Sequence, residues 1–180
     1  MGASPAVQLG TGWAFELRGV EPGRQQVSIE PIPAGWAIKD ITSNGRSVID
    51  TGVDISSAAT TTIDITLSDK VTSLTGTVTP AGPNQPPPAD FTVLVFSDDP
   101  SHWKDRTRRV ALSRPEAGGG YKVTGLPPGV YRAIALEYVD DGEQQNPEFL
   151  AWARSRAARI ELADGASATL DLTLVKYGNE

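Results

Sequence analysis

The 180-residue chain echoes itself. Phe15-Glu16-Leu17-Arg18-Gly19-Val20-Glu21-Pro22-Gly23 matches Tyr121-Lys122-Val123-Thr124-Gly125-Leu126-Pro127-Pro128-Gly129 at an offset of 106 residues. An apolar alternating run follows each block, Gln25–Glu30 in one case and Tyr131–Glu137 in the other. Later, Ile63-Asp64-Ile65-Thr66-Leu67 is repeated as Leu170-Asp171-Leu172-Thr173-Leu174 at an offset of 107. Three matched blocks in the same order at a nearly constant offset indicate two related modules, which we bound at residues 1–70 and 71–180.

Each block carries β physics. Phe15 and Leu17, like Tyr121 and Val123, are two residues apart and fall on one face of a strand. Gly19 and Gly125 end that strand, and Glu-Pro-Gly or Pro-Pro-Gly makes a tight turn into the next. In the last blocks Ile63, Ile65 and Leu67, or Leu170, Leu172 and Leu174, alternate with Asp and Thr, the pattern of a half-buried strand.

The second module reads as seven strands, near residues 72–79, 91–97, 107–113, 121–124, 130–137, 157–162 and 168–175. Residues 80–89, with Pro83, Pro86, Pro87 and Pro88, form a stiff surface loop. Between strands five and six, Asn146 can cap a helix, Pro147 suits its first position and Glu148 favours its positive end, which predicts a helix over 147–155 anchored by Trp152. The first module is incomplete. Only a short strand near residues 7–9 has room ahead of Phe15, and Asn44-Gly45 predicts a hairpin of 36–42 with 46–49. The whole is an all-β chain: tandem Greek-key sandwiches, the first lacking its opening strands. The missing strands leave an apolar face and an open sheet edge. The expected partner is a protein or neighbouring domain that completes this module, or a second copy of the chain.

Gly119-Gly120-Tyr121-Lys122-Val123-Thr124-Gly125-Leu126-Pro127-Pro128-Gly129-Val130-Tyr131 resembles the hallmark of carboxypeptidase regulatory-like domains. Ser73-Leu74-Thr75-Gly76-Thr77-Val78-Thr79 is similar to their first strand. The resemblance spans residues 71–175 and implies a seven-stranded, transthyretin-like (prealbumin-like) sandwich. Glu30-Pro31-Ile32-Pro33-Ala34-Gly35-Trp36 resembles the related collagen-adhesin B-type repeats. The resemblance implies a non-catalytic spacer, stabiliser or adhesive unit of a larger bacterial protein in the periplasm, the cell envelope or the extracellular space, its leader lying outside this chain. It also raises an isopeptide bond assisted by an acid at Glu30 or Glu137, yet residues 72–79 contain no lysine.

Composition narrows the chemistry. There is no cysteine, so disulfides and thiol catalysis are excluded, and one histidine, His102, rules out a multi-histidine zinc site. Net charge is −6, shared equally by residues 1–70 and 71–180, which argues against nucleic acid. No run approaches the roughly 20 apolar residues that span a bilayer. No cofactor and no metal are expected: the acidic stretches Asp98-Asp99-Pro100-Ser101-His102 and Asp140-Asp141-Gly142-Glu143 lack calcium-loop spacing and read as strand-ending turns. Catalysis is open only to carboxylates, such as Asp140 with Glu143, a pair of the kind that cleaves glycosides, but nothing in the sequence places them across a cleft. The candidate binding residues are His102, Trp103, Arg106 and Arg108: Trp103 lies in a polar loop flanked by His102 and Lys104, and the basic cluster Lys104, Arg106, Arg108, Arg109 and Arg114 could meet an acidic partner. Of the tryptophans Trp13, Trp36, Trp103 and Trp152, Trp103 is the one expected to be most exposed, and a stacking role for loop tryptophans makes carbohydrate binding the alternative function. Arg154, Arg156 and Arg159 read as solvated charges around the helix end.

Overall fold

The computed structural model describes residues 6, 7, 10, 12–82, 84–104, 107–116 and 118–177. They fall into two compact units, one drawn from residues 1–31 and 38–67, the other from residues 32–37 and 68–180.

The first unit holds β1 (Gly23–Gln25), β2 (Ala37–Ser43), β3 (Arg46–Ser47), β4 (Val53–Ile55) and β5 (Ile63–Ser68). They make two small sheets, β1-β4 and β3-β2-β5. The Asn44-Gly45 hairpin forms as its sequence predicts. Both residues take positive φ (51° and 73°), and Ser43 faces Arg46 across the turn. The strand expected at Phe15–Leu17 does not form, and Leu17 is exposed. Its counterpart in the second unit is held by hydrogen bonds to a neighbouring first strand, and among the described residues nothing plays that part here. The strand expected near 7–9 falls largely on residues 8 and 9, outside the described residues. Ile41 and Val53 are the buried apolar side chains of this unit; Ile63, Ile65 and Leu67 alternate as expected but are only half-buried.

The second unit comprises β6 (Ser73–Thr79), β7 (Thr92–Ser97), β8 (Val110–Ser113), β9 (Gly120–Thr124), β10 (Gly129–Leu136), α1 (Pro147–Arg154), β11 (Ala158–Leu162), β12 (Ser167–Thr169) and β13 (Leu172–Val175). One layer is β12-β6-β9 and the other is β8-β7-β10-β11. β13 joins them, running parallel to β6 on one side and to β10 on the other. The fold is therefore an all-β sandwich with a single α-helix among the described residues. Leu74, Val78, Tyr121 and Val123 of one layer meet Val93, Val95, Tyr131, Ala133 and Ala135 of the other in the enclosed core. On the outer face of the second layer, Phe149, Leu150 and Ala153 of α1 cover Leu94, Phe96, Ile134 and Leu136.

Three details depart from the sequence reading. The Pro-Pro-Gly segment is not a hairpin turn: β9 pairs with β6 and β10 with the other layer, so the chain crosses between sheets there. Gly125 turns at φ 78°, its N–H donates to Thr72 O (2.9 Å), and the Tyr131 hydroxyl donates to Pro127 O (2.6 Å). The last strand is split at residues 170–171. The Tyr121 hydroxyl donates to Leu170 O (2.7 Å), and the Asp171 carboxylate accepts from Thr77 N (2.9 Å), which turns this stretch out of the ladder. Only glycine fits beneath it, since a Cβ on Gly76 would lie 2.0 Å from Leu170 O. Finally, β8 starts at Val110 rather than 107, because Thr107 N donates back to Lys104 O (3.2 Å) in a turn. The helix matches its prediction closely: Asn146 caps Glu148 N at 2.9 Å and Pro147 opens the first turn.

Candidate functional site

The candidate residues lie in the loop between β7 and β8, which folds back on the end of β7. Asp99 accepts from Ser101 N (2.9 Å) and so caps a 3-10 turn, Pro100–His102. The turn brings His102 Nδ1 to Ser97 Oγ (2.9 Å), and Trp103 Nε1 donates to Ser97 O (2.8 Å). The Trp103 ring meets Phe96 edge-on at 5.9 Å. Trp103 is thus half-buried, with its N–H engaged, rather than the most exposed tryptophan. That place belongs to Trp13 (79% exposed), followed by Trp36 (46%). Trp152, expected as the helix's core anchor, is also half-buried: it stacks on Phe149 and carries Arg156 over its face at 4.7 Å, while Phe149, Leu150 and Ala153 do the anchoring.

Asp98 ties the loop down. It accepts from Arg132 Nε (2.8 Å) on β10 and Arg154 Nε (2.9 Å) at the end of α1. The two guanidiniums, Arg154 first, hold its carboxyl below the ordinary aspartate range. Arg154 is therefore an ion-pairing residue, not a freely solvated one. Glu143 accepts from Asp140 N (3.2 Å). Glu137 is exposed just past the end of β10, whereas Glu30, expected to close a strand, is exposed in irregular chain well beyond β1.

The basic candidates gather around β8. Arg108 is half-buried at its entrance, and Arg109 Nη1 donates to Pro128 O (3.2 Å). Arg114 is exposed just beyond Ser113. Arg106 lies outside the described residues.

The sequence reading missed what these residues surround. β8 is the last strand in its layer and, among the described residues, pairs only with β7. Ser97 N donates to Arg109 O (2.9 Å), and the register places Ala111 opposite Val95 and Ser113 opposite Val93. Antiparallel alternation then points the N–H and C=O of Val110 and Leu112 away from β7, to the open side. Leu112 is 44% exposed there. Beside it lies a groove of about 260 Å³ lined by Thr107, Val110, Ala111, Leu112, Gln144 and Gln145. At its far end the strand is closed off, because the Ser113 hydroxyl donates to Lys122 O (3.0 Å) and accepts from Lys122 N (3.2 Å), bridging to β9. An apolar alternation, Val110 and Leu112, bracketed by arginines was the available signal.

No protein-family description matches the chain, and no curated protein matches it. Among solved structures, it is similar to the Bacillus anthracis TIE protein, with 12% identity over 80% of this chain and a TM-score of 0.36. It is also similar to GBS52, the minor pilin of Streptococcus agalactiae, with 11% identity over 65% of this chain and a TM-score of 0.32. The chain spans 32% of the length of the first and 54% of the second.

Proposed function

We propose that the chain is a non-catalytic structural segment of a larger exported bacterial protein, built from two related modules dividing near residue 70, and that it makes protein contacts through a sheet edge. In this reading residues 71–175 are a carboxypeptidase regulatory-like module. The observation that carries the proposal is the open side of β8, where the N–H and C=O of Val110 and Leu112 face a groove rather than another strand. An extended segment docking there gains main-chain hydrogen bonds from the strand and side-chain contact from the groove. The edge is short, four residues, and bounded by charge, features that also restrain indiscriminate pairing.

The test is amide hydrogen exchange on the full chain with a library of extended peptides. Binders should slow exchange at Val110 and Leu112 and leave Ala111, already bonded to β7, unchanged. A library that protects neither residue would remove the basis for sheet-edge binding.

Carbohydrate binding is the second reading, favoured by the exposed rings of Trp13 and Trp36. A glycan array read by tryptophan fluorescence should then respond, and the response should vanish in Trp13→Ala or Trp36→Ala.

A further inference from the structure

The surroundings of β8 are strongly biased in charge. Residues 104–114 contain five basic side chains (Lys104, Arg106, Arg108, Arg109, Arg114) and one acid, Asp105, in a chain whose net charge is −6. Lys104 and Arg114 are exposed. Among the described residues Arg114 forms no ion pair, whereas Arg132 and Arg154 are both committed to Asp98. The positive field is thus concentrated at the two ends of a strand whose outer side offers main-chain donors and acceptors, with the exposed Leu112 between them.

Resting on the sheet-edge reading, we infer that the β8 edge takes an acidic, alternating polar–apolar segment of a partner protein, added as an antiparallel strand. Its backbone bonds the N–H and C=O of Val110 and Leu112. Its apolar residues cover Leu112 and the mouth of the groove, where the Gln144 and Gln145 side-chain amides line the opposite wall. Its carboxylates are drawn by the positive ends of β8, with the exposed Arg114 as the direct ion-pairing partner. A second copy of β8 is the wrong occupant. Antiparallel self-pairing brings Arg108 and Arg109 of one copy toward Arg114 of the other, and like charges across a strand pair are repulsive. Complementary charge also raises the association rate and makes binding sensitive to salt.

The experiment uses the full chain and four fluorescein-labelled heptapeptides: alternating Glu-Val, alternating Thr-Val, alternating Lys-Val, and a Glu-Val peptide interrupted by a central proline. Fluorescence anisotropy should show the Glu-Val peptide binding about tenfold more tightly than Thr-Val, with Lys-Val and the proline-interrupted peptide weaker still. Arg114→Glu should cost the Glu-Val peptide about tenfold and improve Lys-Val. Leu112→Pro should abolish binding of every extended peptide, because it deletes an N–H that the β7 ladder does not use, and thermal melting should show the fold retained. Arg114→Glu, at an exposed position, decides the matter if Leu112→Pro fails to fold. Equal binding of Glu-Val and Thr-Val, both lost in Leu112→Pro, would overturn the acidic preference while leaving the sheet-edge reading intact. Equal binding of the proline-interrupted peptide would reduce the site to a simple charge patch. Failure of all four peptides would remove both readings, whereas concentration-dependent dimerisation that Leu112→Pro abolishes would make a second copy the occupant and overturn the acidic partner.

Discussion

The two units start from one pattern and finish differently. In the first, Gly23 faces Ile55 and Gln25 faces Val53. In the second, Gly129 faces Leu162 and Tyr131 faces Ile160, the same register displaced by 106 and 107 residues. Gly19 and Gly125 even share φ, at 72° and 78°. Yet β1 is three residues long and β10 is eight. β10 has β7 on one side and β11 with β13 on the other, so its main-chain groups are satisfied along its length; β1 pairs with β4 alone. Tyr121 is 1% exposed on a strand, while its counterpart Phe15 is half-buried on irregular chain. Where the second unit inserts α1 between its paired strands, the first inserts the β2–β3 hairpin. Turn chemistry is local and survives on its own, whereas strand length is granted by neighbours.

The comparison can be broken most sharply at a glycine. Gly76→Ala puts a methyl group into the Leu170 carbonyl, and we expect a loss of more than about 4 kcal/mol, seen as collapse of the main thermal transition. Gly19→Ala, which meets no neighbour, should cost about 1–2 kcal/mol for its positive φ. Next come the matched aromatics. Tyr121→Ala should cost about 4 kcal/mol and Phe15→Ala under about 1, measured by urea denaturation. Equal costs would mean that the first unit is as well packed as the second.

Titration sharpens the same contrast. Burial, assisted by Asp171, pushes the Tyr121 phenol up to about 12. Its raised value favours the folded state fully below about pH 10, and that contribution is lost as pH rises from there through the folded value. Alkaline melting between those limits should therefore weaken the second unit, and Tyr121→Phe should flatten the dependence. Asp98 works in the opposite direction. Its lowered pKa gives stability that is complete above about pH 4 and lost as pH falls through the lowered value. Asp98→Asn should cost about 1 kcal/mol at neutral pH and nothing in strong acid.

Much of the architecture was legible in the residues. Period-two alternation placed the second unit's strands, six of the seven starting within about one residue of their observed positions. Asn146-Pro147-Glu148 located α1, and Asn44-Gly45 located the hairpin, because capping and turn preferences act over a few bonds. The sequence also carries the echo, and the registers of β1 with β4 and of β10 with β11 repeat at the same offset. Tertiary structure decided the rest. Whether Phe15–Leu17 became a strand depended on a partner strand far away in the chain. The break between β12 and β13 depended on the Tyr121 hydroxyl reaching Leu170 O across the core. Trp103 looked exposed from its polar neighbours, but Ser97 and Phe96 were in position to receive it. Likewise, nothing in the order of residues says which strand ends a sheet. Val110 and Leu112 offer free hydrogen-bonding groups because β8 closes its layer, a property of how strands are arranged in space rather than of the residues that compose them.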